Sequence, residues 1–390
     1  MKSITVLTAT RSEYGLLSPI IHALQECGEL EVRVVVTGAH LSPEFGLTYQ
    51  EIEKDGIQID RKIEILLSAD TPSAISKSMG MALIGFADYF AERRPDALVV
   101  LGDRYETLAV CCAAMNERIP IIHLYGGEAT EGAVDEVIRH AITKLSFLHL
   151  TSTEEYRRRV IQLGEDPQRV FVVGAIGIEN AIKMPLLSKE ELEAELNFKL
   201  HRPYAVITFH PVTLENNSAE RQCKELMKAL ERHSEMNYII TKANADADGR
   251  IINKLLDDFA LTHDNVAVFE SLGSVKYLSA LKYADMAIGN SSSGLLEVPS
   301  FKIPTVNIGD RQKGRLKAES VIDCAPSEIS ISQAIDRASS EAFKDKCGTV
   351  KNPYGDGDTS SKVVGVIRRM MGCGIDLKKK FYDIEVPNAY

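Results

Sequence analysis

The chain has 390 residues, of which 45% are hydrophobic and 26% are charged, and its formal net charge at pH 7 is −10. These values are typical of a globular protein with about two domains. The negative charge, without a basic cluster longer than residues 378–380, argues against nucleic acid as a partner. No apolar run approaches the roughly 20 residues of a membrane helix, and residues 1–10 resemble a first strand more than a signal peptide. We therefore expect a cytoplasmic protein that does not bind membranes.

Short β-branched segments alternate with helical patterns along the chain. The segments lack polar alternation, which is typical of strands buried on both faces of a parallel sheet. One series comprises residues 4–10, 32–38, 97–102, 120–127, 148–153 and 170–175, and a second comprises residues 204–210, 237–244, 266–271, 285–290 and 305–309. The alternation predicts an α/β fold with two Rossmann-like, doubly wound domains.

A polar stretch near residues 174–196 separates the two series. We expect an N-terminal domain over residues 1–176 and a C-terminal domain over residues 177–366. In such folds, ligands bind at the carboxyl ends of the strands, so a ligand is expected in a cleft between the two domains. The unusual polar clusters fall at these strand ends: TRSEYG (10–15), GDRYE (102–106), GGE (126–128), FHP (209–211), KANADADG (242–249) and GNSSSG (289–294).

The serine-rich cluster GNSSSG has three possible interpretations. A serine nucleophile on a strand-to-helix elbow requires Gly-x-Ser-x-Gly, and this spacing fails because Asn290 stands two residues before Ser292. The remaining interpretations are an anion-binding loop, in which backbone N–H groups and hydroxyls face a phosphate, and a helix N-cap with additional serines.

Three carboxylates are candidates for proton transfer. Asp103 ends a buried strand, Glu128 follows a double glycine that indicates a tight backbone bend, and Asp135 opens a helix in which it could pair with Arg139. Asp103 and Asp135 could instead be helix caps. Carboxylates that converge in one cleft can divide the roles of acid and base.

Other candidates could bind an anionic ligand. Arg11 and Ser12 follow the first strand, where a dinucleotide-binding fold would have a glycine fingerprint that is absent here. The alternative for Ser12 is a plain N-cap. His210 ends a strand directly before a proline, and no histidine spacing indicates a zinc site. Asn244 and Asp246 could hold a base or ribose, or they could form only a polar turn.

In chain order, the motifs resemble those of the hydrolysing UDP-N-acetylglucosamine 2-epimerases of sialic-acid synthesis, of the bacterial NeuC type. The similar segments run nearly end to end: TATRSEYGLLSPII, TGAHLSPEFG, VLGDRYE, HLYGGE, DEVIRHAITK, HLTSTEEYRRRVIQLGE, FHPVTL, IGNSSSGLLEVPS and VNIGDRQKGR. The resemblance implies a GT-B arrangement, with two Rossmann-like domains facing a cleft and UDP bound by the second. It also implies that a last helix, about residues 367–390, packs back on the first domain.

The resemblance further implies that UDP-N-acetylglucosamine and water give N-acetylmannosamine and UDP through a 2-acetamidoglucal. Proton transfer would involve Asp103, Glu128 and Asp135. The resemblance assigns the diphosphate to Arg11, His210, Ser291, Ser292 and Arg315, and the nucleotide ribose to Glu297. No metal or other cofactor is expected, and family members are commonly dimers or tetramers.

Two other functions stay open from the sequence. One is a hydrolysing epimerase for UDP-N,N′-diacetylbacillosamine in legionaminic-acid synthesis, which has nearly the same motifs. The other, from a different class, is a GT-B glycosyltransferase that passes the sugar to an acceptor.

Overall fold

The structure is a computed structural model that describes residues 1–67, 71–129, 134–201, 203–211, 218–243 and 249–384. The described residues form two compact units. The first unit contains the described part of residues 1–180 together with residues from Gly355 onward, and the second unit extends from Ala181 to Tyr354. Each unit has its own parallel sheet and its own hydrophobic core.

The first unit contains a parallel sheet with the strand order β3-β2-β1-β4-β5-β6-β7 among its described residues. The strands are β1 (Lys2–Thr8), β2 (Leu30–Thr37), β3 (Ile59–Ile63), β4 (Ala97–Leu101), β5 (Ile121–Leu124), β6 (Leu148–Thr151) and β7 (Val170–Val172). The helices are α1 (Arg11–Glu26), α2 (Tyr49–Lys54), α3 (Pro72–Glu92), α4 (Tyr105–Asn116), α5 (Val134–Leu145), α6 (Glu154–Gln162) and α7 (Ile176–Lys183), whose last three residues belong to the second unit. The strand order reverses between β1 and β4, as in Rossmann folds.

Both faces of the first sheet are covered by helices. Val6 and Val99 belong to a buried cluster that includes residues of α1, whereas Leu98 and Val100 belong to a second cluster that includes residues of α3 and α4. Because the strands are buried on both sides, they are apolar without alternation, as the sequence indicated.

The second unit repeats the same plan with the strand order β10-β9-β8-β11-β12-β13 among its described residues. The strands are β8 (Tyr204–Thr208), β9 (Asn237–Thr241), β10 (Val266–Phe269), β11 (Met286–Gly289), β12 (Thr305–Ile308) and β13 (Val321–Cys324). The helices are α8 (Lys189–Leu196), α9 (Ala219–Glu231), α10 (Gly249–Ala260), α11 (Gly273–Tyr283), α12 (Ser293–Leu296), α13 (Glu328–Ser339) and α14 (Glu341–Thr349). Here the order reverses between β8 and β11.

The predicted pair of Rossmann-like, parallel α/β domains is confirmed. Each segment that the sequence predicted as a strand overlaps with one, although most of these strands are shorter than predicted. The sequence analysis missed β3 and β13, which are edge strands. Their sequences, IDRKI and VIDC, carry charged residues because an edge strand is only partly covered.

The chain returns to the first unit earlier than the predicted residue 367. Helix α15 (Thr359–Cys373) buries Val363 and Ile367 in the same cluster as residues of α1. Residues 374–384 then continue without helical structure, rather than as the expected helix over 367–390. Lys379 in this segment forms an ion pair of 2.6 Å with the buried Glu165. The described part of the chain has no helix long and apolar enough to cross a membrane.

Candidate active site

In a doubly wound sheet, ligands bind where the strand order reverses, at the carboxyl ends of the strands. In the first unit this position lies between β1 and β4, which are followed by Arg11 and by Asp103. In the second unit it lies between β8 and β11, which are followed by His210 and by the serine-rich cluster. Arg11, Asp103, His210 and the serine-rich cluster thus follow the strands at which the order reverses, and their roles stay predictions.

Arg139 on α5 contacts two of the residues predicted for proton transfer. Its guanidinium is nearly buried and forms an ion pair with Asp103, whose side chain is 22% exposed. The same guanidinium donates to the backbone carbonyl of Glu128 at 2.8 Å. It also approaches Glu136 at 3.4 Å. A planar guanidinium with several donors can orient such groups at once, so the loops after β4 and β5 are held against α5.

Glu128 is buried, with 6% of its surface exposed. The Ser152 hydroxyl donates to its Oε1 at 3.0 Å. The preceding Gly127 has a φ of +81°, and a Cβ there would overlap with the Tyr156 carbonyl oxygen. The double glycine thus allows the chain to pass close to α6, in agreement with the tight bend expected from the sequence.

Asp135 lies in the first turn of α5, one turn before Arg139, and it is exposed. His140 on the same helix is 3.0 Å from Glu136. His123, by contrast, is a core residue: its Nε2 lies 2.8 Å from the Gly102 carbonyl oxygen, and burial lowers its pKa to about 3.

Arg11 and Ser12 begin α1, but neither caps it. Thr10 is the N-cap, with a capping box to Glu13. The capping interpretation of Ser12 is therefore wrong. The Ser12 hydroxyl lies 3.1 Å from the Thr10 hydroxyl, and Arg11 forms an exposed ion pair of 3.0 Å with Glu51. Exposed ion pairs contribute little to stability, so Arg11 can exchange this partner for a ligand.

Glu13 is a titratable group beside this region that the sequence analysis did not identify. Its carboxylate accepts the N–H groups of Ala9 at 2.7 Å and Thr10 at 3.1 Å. Burial raises its pKa to about 7, and these N–H groups and the Arg104 guanidinium only partly oppose the effect. Because the pKa in the folded state exceeds that in the unfolded state, its stabilising contribution is complete below about pH 4.5 and is lost as the pH rises through 7.

The Glu13→Gln variant should remove this pH dependence while keeping an acceptor for the two N–H groups. From pH 5 to pH 8, the native protein should lose roughly 1 to 3 kcal/mol of its free energy of unfolding through Glu13. The variant should not show this loss. Denaturant titrations at both pH values measure the difference. Glu191→Gln is the control, because Glu191 forms the same capping box on α8 while exposed and with a lowered pKa. Parallel pH curves for native protein and Glu13→Gln would contradict the prediction.

In the second unit, His210 and Asn290 are joined by two hydrogen bonds. The backbone N–H of His210 donates to Asn290 Oδ1 at 2.7 Å, and Asn290 Nδ2 donates to the backbone carbonyl of His210 at 2.8 Å. Burial, together with the nearby Arg311 charge, lowers the pKa of His210 to about 4. The imidazole is therefore neutral at pH 7 and can donate a hydrogen bond without carrying charge.

Two of the serines after Asn290 precede a short helix, and the third is its first residue. Ser292 occupies the N-cap position of α12, but its hydroxyl makes no capping hydrogen bond. The Ser291 hydroxyl accepts the Ser293 N–H at 3.4 Å. Capping by Ser292 is therefore excluded in this structure.

Glu297 directly follows α12, and the charge of Arg315 acts on its pKa. Burial raises the pKa of Glu297, and the Ser293 hydroxyl and the Arg315 guanidinium partly offset this effect. Its Oε2 is buried without a hydrogen-bond partner in the described part of the chain. The predicted residues Asn244 and Asp246 lie outside the described residues.

The sequence analysis did not identify the residues that organise these groups. Arg139 was considered only as a possible partner of Asp135, and Asn290 only as the residue that excludes a nucleophile elbow. The available signal was the type of residue: an arginine on an amphipathic helix and an asparagine between glycine and serines are costly to bury without partners. Among the described residues, no group of three or more His, Cys, Asp and Glu could hold a metal ion.

Fold and site together define a protein with two doubly wound α/β units, each with polar side chains where its strand order reverses. Within this class, the chain belongs to the UDP-N-acetylglucosamine 2-epimerase family, whose sequence profile matches residues 22–368.

Two relatives are similar over almost the whole chain. The GDP/UDP-N,N′-diacetylbacillosamine 2-epimerase (hydrolyzing) of Campylobacter jejuni is 43% identical, covering 98% of this chain and 99% of the relative. The polysialic acid biosynthesis protein P7 of Escherichia coli is 40% identical, covering 98% of each chain. The structure of the Methanocaldococcus jannaschii UDP-GlcNAc 2-epimerase, in complex with UDP-GlcNAc and UDP, has a TM-score of 0.78 at 19% identity and covers 95% of this chain and 100% of that one. This last similarity concerns the fold.

Proposed function

We propose that this chain is a hydrolysing 2-epimerase that acts on a UDP-linked 2-acetamido sugar, with UDP-N,N′-diacetylbacillosamine as the first candidate substrate. The observation that supports this proposal is the 43% identity, over nearly the full length of both chains, to a hydrolysing enzyme named for that sugar. UDP-N-acetylglucosamine, which the sequence analysis placed first, becomes the second candidate. It is retained because the relative with 40% identity is named for polysialic-acid biosynthesis.

The proposed reaction begins with departure of UDP. The C2 proton of the sugar is not acidified by a neighbouring carbonyl, so the bond from C1 to the diphosphate oxygen must break as the proton leaves. Elimination gives a 2-acetamidoglycal and UDP. Water then adds at C1 while a proton is delivered to the opposite face of C2, which inverts that centre and releases the free sugar. No electrons are gained or lost overall.

We assign proton transfer to the first unit. Removal and delivery on opposite faces require two groups, and Asp103, Glu128 and Asp135 are the candidates. The ion pair to Arg139 orients Asp103, and the Ser152 hydroxyl orients Glu128. Each positioned proton-transfer group accelerates such a reaction by about 10²- to 10⁴-fold.

We assign stabilisation of the leaving diphosphate to the predicted anion-binding residues. Arg11 and Arg315 would supply positive charge, and His210 would supply a neutral N–H donor. Ser291 and Ser292 would add hydroxyl donors, and Glu297 would accept from the nucleotide ribose. Donors fixed in advance around developing negative charge stabilise a transition state effectively. Ser12, Asn244 and Asp246 stay predictions as further nucleotide-binding residues.

The test is proton NMR of the purified protein in D₂O with each candidate nucleotide sugar and no acceptor. We expect free UDP and a 2-epimerised sugar deuterated at C2, with kcat/KM at least about tenfold higher for the diacetylbacillosamine nucleotide, since loss of specific polar contacts commonly costs more than this factor. The GDP-linked sugar is included because the relative's name contains both nucleotides.

The other outcomes separate the alternatives. Higher kcat/KM for UDP-N-acetylglucosamine would retain the reaction but reverse the order of substrates. A sugar that is epimerised while still attached to UDP would contradict hydrolysis. Nucleotide release only after an acceptor is added would favour a GT-B glycosyltransferase.

A further inference from the structure

The side chain of Asn290 extends the pairing of β8 and β11 beyond the end of their backbone ladder. The last registered pair of these parallel strands is Thr208 with Gly289. The Asn290 N–H donates to the Thr208 carbonyl at 3.1 Å. One step further, the Asn290 carboxamide replaces the backbone and holds both the N–H and the carbonyl of His210. A single side chain thus supplies the donor and the acceptor that a continuing strand would provide.

The backbone of β11 leaves the ladder at Gly289. This residue has a φ of +135°, and a Cβ there would overlap with the Thr208 carbonyl oxygen. The departure directs the chain into the serine-rich loop, so no backbone group of β11 continues beside His210. Without the Asn290 carboxamide, the buried N–H and carbonyl of His210 would lose the partners that they have here.

Asn290 is itself held firmly. It is 1% exposed, and its backbone carbonyl accepts from Gln312 Nε2 at 2.9 Å and from Arg311 Nη1 at 3.1 Å. Its contacts therefore join the segments that follow β8, β11 and β12 in the second unit. A carboxamide anchored in this way can fix the position of a neighbouring backbone.

The His210 ring depends on this backbone for its orientation. Its Nδ1 is buried and has no hydrogen-bond partner in the described part of the chain. No hydrogen bond at that nitrogen therefore fixes the ring, so the position of the backbone of residue 210 has a direct part in where the ring points.

We propose that Asn290 is the positioning residue of His210 and acts on the reaction only through it. The kinetic part of this proposal rests on the proposed function, in which His210 donates to the leaving diphosphate. The structural part does not, because the orientation and environment of the imidazole can be measured without substrate.

The experiment follows the His210 ring by NMR in histidine-labelled protein, with the signal assigned from a His210→Gln variant. In Asn290→Ala, we expect the pKa of His210 to move from about 4 at least halfway to its ordinary value of 6.5, as water reaches the loosened ring. Asn290→Asp keeps the acceptor for the backbone N–H of His210 but loses the donor to its carbonyl. The pKa of His210 in this variant should therefore lie between those in the native protein and in Asn290→Ala. Unchanged His210 titration in the folded variants would overturn the proposal.

Asn307→Ala is the matched control. Asn307 lies opposite Gly289 in the neighbouring strand, is 1% exposed, and donates from its own carboxamide to Asp323 at 2.7 Å. Its replacement also removes a buried amide from this sheet, but it should leave the His210 titration as in the native protein. An equal shift in Asn307→Ala would show general loosening and would reject a specific role for Asn290.

Kinetics provide the second measurement. In Asn290→Ala, kcat and kcat/KM should fall together by about 10- to 100-fold with little change in KM, as expected when a group that acts in the transition state is displaced. Full activity in that variant would reject the positioning role. If the native protein turns over no nucleotide sugar, the proposed function fails, whereas the NMR titration still tests the positioning of His210.

Discussion

The Glu128→Gln variant should lose turnover by about 10²- to 10⁴-fold in kcat, because an amide cannot exchange the proton that the proposed reaction moves at C2 of the sugar. The substitution preserves the shape of the side chain and an oxygen to accept the Ser152 hydroxyl, which donates to Oε1 at 3.0 Å. Affinity for UDP should stay within about threefold of the native value, because Glu128 has no proposed contact with the nucleotide. A threefold change corresponds to less than the 1.4 kcal/mol of a tenfold change. Steady-state kinetics and calorimetric titration with UDP measure the two quantities.

Glu179→Gln is a closely matched control. Glu179 has the same 6% exposure as Glu128, lies in the first unit, and accepts the Ser360 N–H at 2.6 Å. Because it joins α7 to α15 and has no proposed part in the reaction, its amide variant should retain turnover. Native-like activity in Glu128→Gln, or loss of UDP binding together with turnover, would remove Glu128 from the proton-transfer groups.

The Gly127→Ala variant should reduce the free energy of unfolding of the protein by about 2 to 5 kcal/mol, through backbone strain and steric overlap. Gly127 has a φ of +81°, and a new Cβ would overlap with the Tyr156 carbonyl oxygen and lie 2.9 Å from Val160 Cγ2. The obstructing carbonyl belongs to α6 and cannot rotate away as a side chain could. Turnover should also fall, because the neighbouring Glu128 must shift with the backbone.

Gly46→Ala separates the two causes of this effect. Gly46 has a nearly identical φ of +82°, but a Cβ there would meet nothing within 4 Å. Gly46→Ala should therefore reduce the free energy of unfolding only through the strain of alanine in a left-handed backbone conformation, by about 1 to 2 kcal/mol. Chemical denaturation of both variants measures the difference, and equal losses would mean that the loop after β5 relaxes away from α6 without cost.

Much of the fold could be predicted from the sequence because it depends on local patterns. Strands that are covered on both faces must be apolar throughout, and this pattern revealed the strands inside both sheets. The edge strands β3 and β13 were missed for the same reason, since partial exposure permits charged residues such as Asp60 and Asp323. Both bounds predicted for the last helix were also wrong. Helix α15 covers Thr359–Cys373, where its apolar residues pack against α1.

The sequence by itself determined which residues stand at the strand ends, since a residue type and its place after an apolar run are both local facts. Asp103, Glu128, His210 and the serines were found in this way. Only the tertiary structure decided what holds them, because the partners are distant in the chain. Arg139 is 36 residues from Asp103, and Asn290 is 80 residues from His210. Hydrogen bonds over such separations depend on how strands are ordered in a sheet, and that order is fixed by the packing of the whole unit.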